Sequence, residues 1–389
     1  MLPELDCQRA QFAIPARVHY LNCAYMGPLP LVAQEAGITG IRRKAVPTEI
    51  APRDFFDDAN RARALFAGII GASDASRVAI VPAVSYGAAI IAHHLRPERG
   101  ARIVVAAEQF PSNVYAWRRL AAERDLELHT VPAPASERRG ESWNEALLAA
   151  IDERTMLVAL PQVHWTDGTR FDLEAIGARA RQRGAVFVVD ATQSVGALPF
   201  DVTRIGADAV LCAGYKWLLG PYGLGYTWFG PRFDTAAPLE ETWIGRRDSE
   251  DFRGLVAYRD DYQPGAARMD VGERSNFILL PMAVASLELL TEWRADRIQD
   301  YCARLGTPAI ASAVELGFVA EEPAWRGAHL FGLRAPPGVD IAVVQGALAE
   351  RSIYVSLRGN AIRVAPNVYN DENDVGAFAE ALRAAAATV

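Results

Sequence analysis

Residues 190–226 read DATQSVGALPFDVTRIGADAVLCAGYKWLLGPYGLGY, and this stretch decides the fold. It begins on the last residue of an apolar run, Ala185–Asp190 (AVFVVD). It then carries a second run, Asp208–Ala213 (DAVLCA), and, after a Gly-Pro turn, a third, Gly223–Phe229 (GLGYTWF). Runs this short, rich in Val, Ile, Leu and Ala, suit strands buried on both faces. The same pattern recurs upstream at Arg77–Pro82 (RVAIVP), Arg102–Ala107 (RIVVAA), Leu126–Val131 (LELHTV) and Thr155–Pro161 (TMLVALP). Amphipathic stretches at Asn113–Glu123, Ser142–Asp152 and Asp172–Arg183 separate them, the last opening on an N-capping aspartate. Strand–helix alternation over this length predicts a mostly parallel sheet with helices on both faces. Gly223–Phe229 is expected to return antiparallel.

The pattern changes after about Gly272. A long helical stretch, Leu279–Leu305, is expected first. A strand (Ala328–Leu333), a helix (Ile341–Arg351), a strand pair (Tyr354–Leu357 with Ala361–Val364) and a last helix (Val375–Ala387) follow, and these read as a smaller α/β unit. A polar loop surrounds Ala133–Glu141. The expected division is a large unit over 15–275 and a small one over 276–389, with residues 1–14 packing on the small unit.

The 389-residue chain is 51% hydrophobic and 22% charged, an ordinary globular composition. A net charge of -7 argues against a nucleic-acid partner. Cys7, Cys23, Cys212 and Cys302 lie far apart, without CxxC or Cys/His spacing, so neither a disulfide framework nor a metal site is expected. The first residues, MLPELDCQRAQFAIPARVHYLN, lack the apolar core of a secretory signal. No charge-free stretch has transmembrane length. A cytoplasmic protein without a membrane partner is expected.

Open parallel sheets bind ligands beyond the carboxyl ends of their strands. That rule selects Val84–Gly87, Glu108–Asn113, Gln162–Gly168, Asp190–Ser194 and Gly214–Trp217. Asp190 ends one buried strand, and Lys216 follows the next. A carboxylate or an ammonium there is costly unless it meets a partner. A pyridoxal 5′-phosphate (PLP) ring would need both: the carboxylate to keep its pyridine nitrogen protonated, the lysine to form the imine and move protons. Gln193 is placed to bond the ring's phenolic oxygen. A buried ion pair between Asp190 and Lys216 explains the same two residues equally well.

The segment DATQSVGALPFDVTRIGADAVLCAGYKWLLGPYGLGY resembles the cofactor segment of the class V aminotransferase family: Asp-x-x-Gln, a lysine two dozen residues on, then Gly-Pro-x-Gly. Those are fold-type I PLP enzymes, including cysteine desulfurases, kynureninases and isopenicillin-N-epimerase-like proteins. The resemblance implies an α/β fold: a mostly parallel seven-stranded sheet in a large domain plus a smaller C-terminal α/β domain. It implies PLP held as a Schiff base on Lys216, with Asp190 and Gln193 on the ring. Val84 and Ser85, at a helix start, would take the phosphate through backbone N–H groups and the Ser85 hydroxyl. Val84 departs from the threonine common in the family, and Ala213 and Tyr215 stand where relatives place Ser and His. Tyr215 is similar to a kynureninase tyrosine that contacts the phosphate. Phe110, in EQFPSN, would stack on the ring, and His164, in QVHWTDG, would sit near the phenolic oxygen or the substrate. Arg363, in AIRVAPNVYNDENDV, resembles the family's arginine for the substrate α-carboxylate. Asn22, Tyr25 and Arg358 are candidates for the same pocket. Ser275 and Asn276, in GERSN, and Trp243, in ETWIGRR, align with segments that relatives lend to a neighbouring subunit, implying a homodimer with shared active sites.

Residues 354–363 read YVSLRGNAIR and no cysteine follows Cys302, so desulfuration through an enzyme persulfide is disfavoured. An aminotransferase acting on a small amino acid is the first expectation. A PLP-dependent lyase or an epimerase is the alternative. More distant readings are a serine hydrolase using Ser85 and a relative that keeps the fold without catalysis.

Overall fold

The computed structural model describes residues 3–136 and 138–386. Met1, Leu2, Glu137 and Ala387–Val389 lie outside the described residues. With them go the outer ends of the expected small unit, one residue of the expected polar loop and the last residue of the expected final helix.

Thirteen strands are present among the described residues: β1 His19–Tyr20, β2 Val78–Val81, β3 Arg102–Ala106, β4 Glu127–Val131, β5 Thr155–Pro161, β6 Val186–Asp190, β7 Ala209–Ala213, β8 Gly225–Phe229, β9 Val319–Ala320, β10 Phe331–Arg334, β11 Ile353–Tyr354, β12 Ser356–Arg358 and β13 Ala361–Val364. Seven of them form one sheet in the order β2-β8-β7-β6-β5-β3-β4. All pairs from β7 to β4 are parallel, and β8 runs antiparallel to both β7 and β2. The sheet is apolar on both faces except along the edge strand β4, where Glu127, His129 and Thr130 are half-buried or exposed. Val186 and Val188 of β6 enter one core cluster, and Phe187 and Val189 enter the other. This period of two over two covered faces explains why the strands read as unbroken apolar runs. Helices Val84–His94 and Tyr115–Arg124 cover one face. Helices Asp57–Ile69, Arg139–Ala150, Leu173–Gln182 and Leu279–Trp293 cover the other.

Beyond the large sheet, β12-β13-β10-β9 form an antiparallel sheet, and β1 pairs with β11 in parallel. The N-terminal segment packs on C-terminal elements. Arg9 bonds Asp374 at 2.9 Å, and Phe12 meets the rings of Tyr369 and Trp293. No helix among the described residues is long and apolar enough to cross a membrane.

Several boundaries differ from the sequence expectation. The stretch Leu279–Leu305 is two helices, Leu279–Trp293 and Ala295–Glu315, broken where Arg294 takes φ 64° and ψ 136°. Both helices bury an apolar stripe, so the periodicity runs across the break with no glycine or proline to mark it. The strand expected over Ala328–Leu333 begins only at Phe331. Ala328 N–H is taken by Gln299 Oε1 and the His329 ring bonds Gln193 O, which draws this segment off the sheet. Tyr354 leaves the expected pair to join β1, and β12 begins at Ser356. The helices Leu31–Ala45 and Asp57–Ile69 were not anticipated.

Candidate active site

The loop from Gly214 to Leu224 joins β7 to β8 and holds Lys216 rigidly. Gly214 N–H bonds Leu224 O and Gly220 N–H bonds Gly214 O, each at 2.9 Å; Leu219 N–H bonds Lys216 O at 3.0 Å. The Trp217 indole donates to Gln193 Oε1 at 2.9 Å. Residues 22–27 pass directly behind this loop. Gly27 N–H bonds Tyr215 O at 2.9 Å, and a Cβ on Gly27 would lie 2.2 Å from Lys216 O, so only glycine permits this approach. The lysine backbone is therefore clamped on both sides, and its side chain enters a cavity of about 200 Å³.

The cavity lies where strand-end chemistry was expected. The segments after β2, β3, β5 and β7 contribute Val84, Phe110, Trp165, and Tyr215 with Lys216, and β6 ends in it with Asp190. Lys216 is 5% exposed and Asp190 is 7% exposed. No ion pair or hydrogen bond joins them among the described residues, so the buried-pair alternative is not the arrangement found. The Lys216 ammonium lies 5.0 Å from the Phe110 ring centre and 5.6 Å from that of Tyr215. Burial lowers its pKa from the usual 10.5 to about 8; Asp190 opposes this, while Arg363 and Arg358 add to it. Asp190 accepts the Thr192 N–H at 3.0 Å. Burial raises its pKa, against the Thr192 bonds and the Lys216 charge. An amine so shifted is poised near neutrality, which no arginine would be. The chain has only two lysines, Lys44 and Lys216, so keeping one at this buried position is itself a sequence signal for amine chemistry.

The remaining residues sort by position. Gln193 lines the cavity, but its amide is partly engaged, with Nε2 on Ala24 O (3.1 Å) and Oε1 on Trp217. Arg363 is 1% exposed and does not itself line the cavity. Its guanidinium donates to Trp165 O at 2.8 Å, and at 3.4 and 3.3 Å to Asn22 Oδ1 and Ser356 Oγ, while Nε has no partner. It forms no ion pair with any carboxylate among the described residues. Burial pushes its pKa down to about 9, with the Arg358 charge adding.

His164 is a correction. Its ring nitrogens bond Thr166 Oγ1 (2.7 Å) and Ala107 O (3.1 Å), and the ring packs on Trp143 in the core. With His164 turned inward, its neighbour Trp165 faces the cavity. Trp165 donates its indole N–H to Glu108 O at 2.6 Å and meets the Phe110 ring edge-on at 5.4 Å. Glu108 has φ 55°, a sparsely populated backbone state that the two clasping bonds from His164 and Trp165 help hold.

Ser85 is exposed at the start of helix Val84–His94 and does not line the cavity. No histidine bonds its hydroxyl among the described residues, and the two buried rings, His164 and His329, are committed to Thr166, Ala107, Gln193 and Gln299. The hydrolase reading therefore has no base. Tyr25 is exposed, with only its neighbour Asn22 reaching the arginine. Ser275 bonds Phe55 O, Asn276 caps helix Leu279–Trp293, and Trp243 packs on Phe55 and Phe252. None of these three lines the cavity of its own chain.

Comparison with known proteins places the chain among similar sequences and folds. The family described as Aminotransferase class-V matches residues 51–242. The uncharacterized aminotransferase YcbU of Bacillus subtilis (strain 168) is 29% identical, covering 81% of this chain and 80% of that protein. The isopenicillin N epimerase of Streptomyces clavuligerus is 27% identical over 97% of each chain. A solved structure of a C-DES mutant, with glycine covalently linked to its PLP cofactor, superposes with a TM-score of 0.85 at 20% identity, covering 96% of this chain and 98% of that one. That likeness establishes a shared fold.

Proposed function

The chain belongs to the class V aminotransferase family of fold-type I, PLP-dependent enzymes, and on that premise we propose that it binds PLP on Lys216 and transaminates an α-amino acid. The observation that carries this reading is the buried, unpartnered Lys216 amine facing Asp190 across an open cavity. Two costly charged groups are held apart there, which a structural ion pair would not explain.

The residues fit the cofactor. Lys216 would hold its aldehyde carbon and Asp190 its ring nitrogen, with Phe110 and Gln193 against the ring. Backbone N–H groups at Val84 and Ser85, together with Tyr215, would hold the phosphate. PLP, when bound, supplies an electron sink that stabilises negative charge at the substrate's α-carbon. The chain's own groups do the rest. Arg363 holds the substrate carboxylate and so fixes which α-carbon bond is aligned. Lys216 Nζ, with a pKa near 8, takes the α-proton and returns it. Phe110 and Trp165 wall the cavity against water. No cysteine lines the cavity, so an enzyme-bound persulfide has no attachment point there.

The same proposal includes a homodimer in which the segments of Ser275, Asn276 and Trp243 serve the partner's phosphate site. It is supported by exposed apolar residues near the cavity and on the first long helix: Tyr222 at its mouth is 69% exposed, and Leu31, Ile38 and Ile41 face outward. The test of function is to mix the PLP-loaded protein with single amino acids and a 2-oxo acid acceptor and identify products. Transfer of the amino group to the acceptor supports the reading. Release of ammonia, or formation of the other enantiomer without transfer, replaces transamination by elimination or racemisation.

A further inference from the structure

Two arginines, not one, stand unpaired beside the cavity. In the small antiparallel sheet Ser356 pairs with Arg363 and Arg358 pairs with Ala361. Cross-strand partners share a face, and residues two apart on one strand share it too. Ser356, Arg358 and Arg363 therefore lie on a single face, with the small Ala361 opposite Arg358 leaving room for its long side chain. The two guanidiniums converge on Trp165. Arg363 donates to its carbonyl, and Arg358 lies over its indole ring at 5.0 Å from the centre. Trp165 in turn lines the cavity that holds Lys216.

Neither arginine forms an ion pair with a carboxylate among the described residues. Nε of each is buried and without a hydrogen-bond partner. Arg358 makes a single side-chain bond, to the neighbouring Leu357 O. The acids around the site are engaged or too few. Glu108, whose carbonyl takes the Trp165 indole, has its carboxylate 3.7 Å from Arg139, and Asp190 is one carboxylate against Lys216, Arg358 and Arg363. Two like charges on one sheet face repel, and an anion supplied from outside would relieve that cost.

We propose that Arg358 is a second anion-binding residue of the site, and that the substrate is an α-amino acid whose side chain ends in another acidic group. The proposal rests on the reading of Arg363 as the holder of the α-carboxylate. Arg363 then takes the carboxylate common to all amino acids, and Arg358 selects among them through the side chain. Trp165 sets the spacing between the two guanidiniums by contacting both.

The experiment compares kcat/KM for aspartate and glutamate with asparagine, glutamine and alanine, in wild type and in Arg358→Gln. A charge-assisted contact is worth about 1.5–3 kcal/mol, so the diacids are expected to exceed their amides by about 10- to 100-fold. In Arg358→Gln that ratio should collapse, with the diacids losing far more than alanine. Succinate and butyrate provide a readout independent of turnover. Succinate should quench tryptophan fluorescence at lower concentration than butyrate in wild type, and the difference should vanish in Arg358→Gln. Equal turnover of diacids and amides by wild type overturns the second site while leaving the PLP reading intact. So does an Arg358→Gln variant that loses all substrates in equal measure. If no amino acid alters the cofactor absorbance, the PLP reading and this proposal fall together.

Discussion

Replacing Arg363 by methionine separates the cost of the site from its use. Burial, with the Arg358 charge adding and Tyr20 opposing, drops the guanidinium from its usual pKa to about 9, which corresponds to a net cost of roughly 5 kcal/mol to the charged form. Methionine fills much of the same volume without charge. The substitution leaves Trp165 O without its donor, a loss of about 1–3 kcal/mol. Ser356 Oγ still donates to Asn22 Oδ1 at 2.9 Å, so those two groups remain satisfied. The balance favours the variant by about 2–4 kcal/mol, or roughly 2–5 °C in melting temperature for a chain of this length. Function should move the opposite way. Loss of a bidentate carboxylate clamp should lower kcat/KM by about 100-fold or more. Thermal melts of the unliganded proteins with and without succinate, beside steady-state rates, read both effects. Saturating succinate should raise the wild-type melt and leave Arg363→Met unmoved. A variant that melts below wild type, or one that keeps kcat/KM within about threefold, refutes the assignment of Arg363 as an anion holder that the fold tolerates at a cost.

The depressed Lys216 pKa makes uptake of PLP by the apo protein depend on pH. Uptake should rise through an inflection at about 8, and the inflection should move up in Arg363→Met because a repelling charge is gone. The same shift sets a stability window. The folded value lies below the unfolded one, so the buried ammonium costs stability below about 8, and that cost fades as pH rises toward 10.5. Urea melts of wild type against Lys216→Met should show wild type gaining across that window, and parallel curves would contradict it. Gly27→Ala places a methyl 2.2 Å from Lys216 O, so PLP affinity should fall sharply while the far-ultraviolet circular dichroism stays near native. Unchanged PLP affinity would show that the segment yields. Iodoacetamide should label Cys7 alone in the native protein, since Cys23, Cys212 and Cys302 are buried with their thiols pushed up. Turnover should survive the labelling, and its loss would reopen a role for a thiol.

Six of the seven strands were legible because they are buried on both faces, the edge strand β4 being half-buried and legible only from the strand–helix alternation around it, and the carboxyl ends of the strands pointed to the loops that line the cavity. Asp190 and Lys216 followed from that rule and from the spacing, while Phe110 and Val84 were singled out within their segments by the family resemblance. What lay beyond a strand end was less legible. The choice between His164 and Trp165 depends on which side chain the turn after β5 rotates inward, and packing on Trp143 decides it. The meeting of Trp165 with Arg358 joins the turn after β5 of the large sheet to β12 of the small one, and no local pattern encodes it. The break at Arg294 was hidden because two helices in register mimic one. The segments of Ser275, Asn276 and Trp243 do not reach the cavity of their own chain, so a single chain leaves their role to the proposed dimer.

The central claim is that Lys216 holds the cofactor, and the chain's composition makes it directly testable. Lys44 and Lys216 are the only lysines, and Lys44 is exposed on helix Leu31–Ala45. Borohydride reduction of the PLP-loaded protein, followed by digestion and mass spectrometry, should find the reduced pyridoxyl phosphate group on Lys216. Lys216→Ala should lose the visible absorbance and the adduct together. A wild-type adduct confined to Lys44, or no adduct in a protein that still transfers amino groups, would contradict the account.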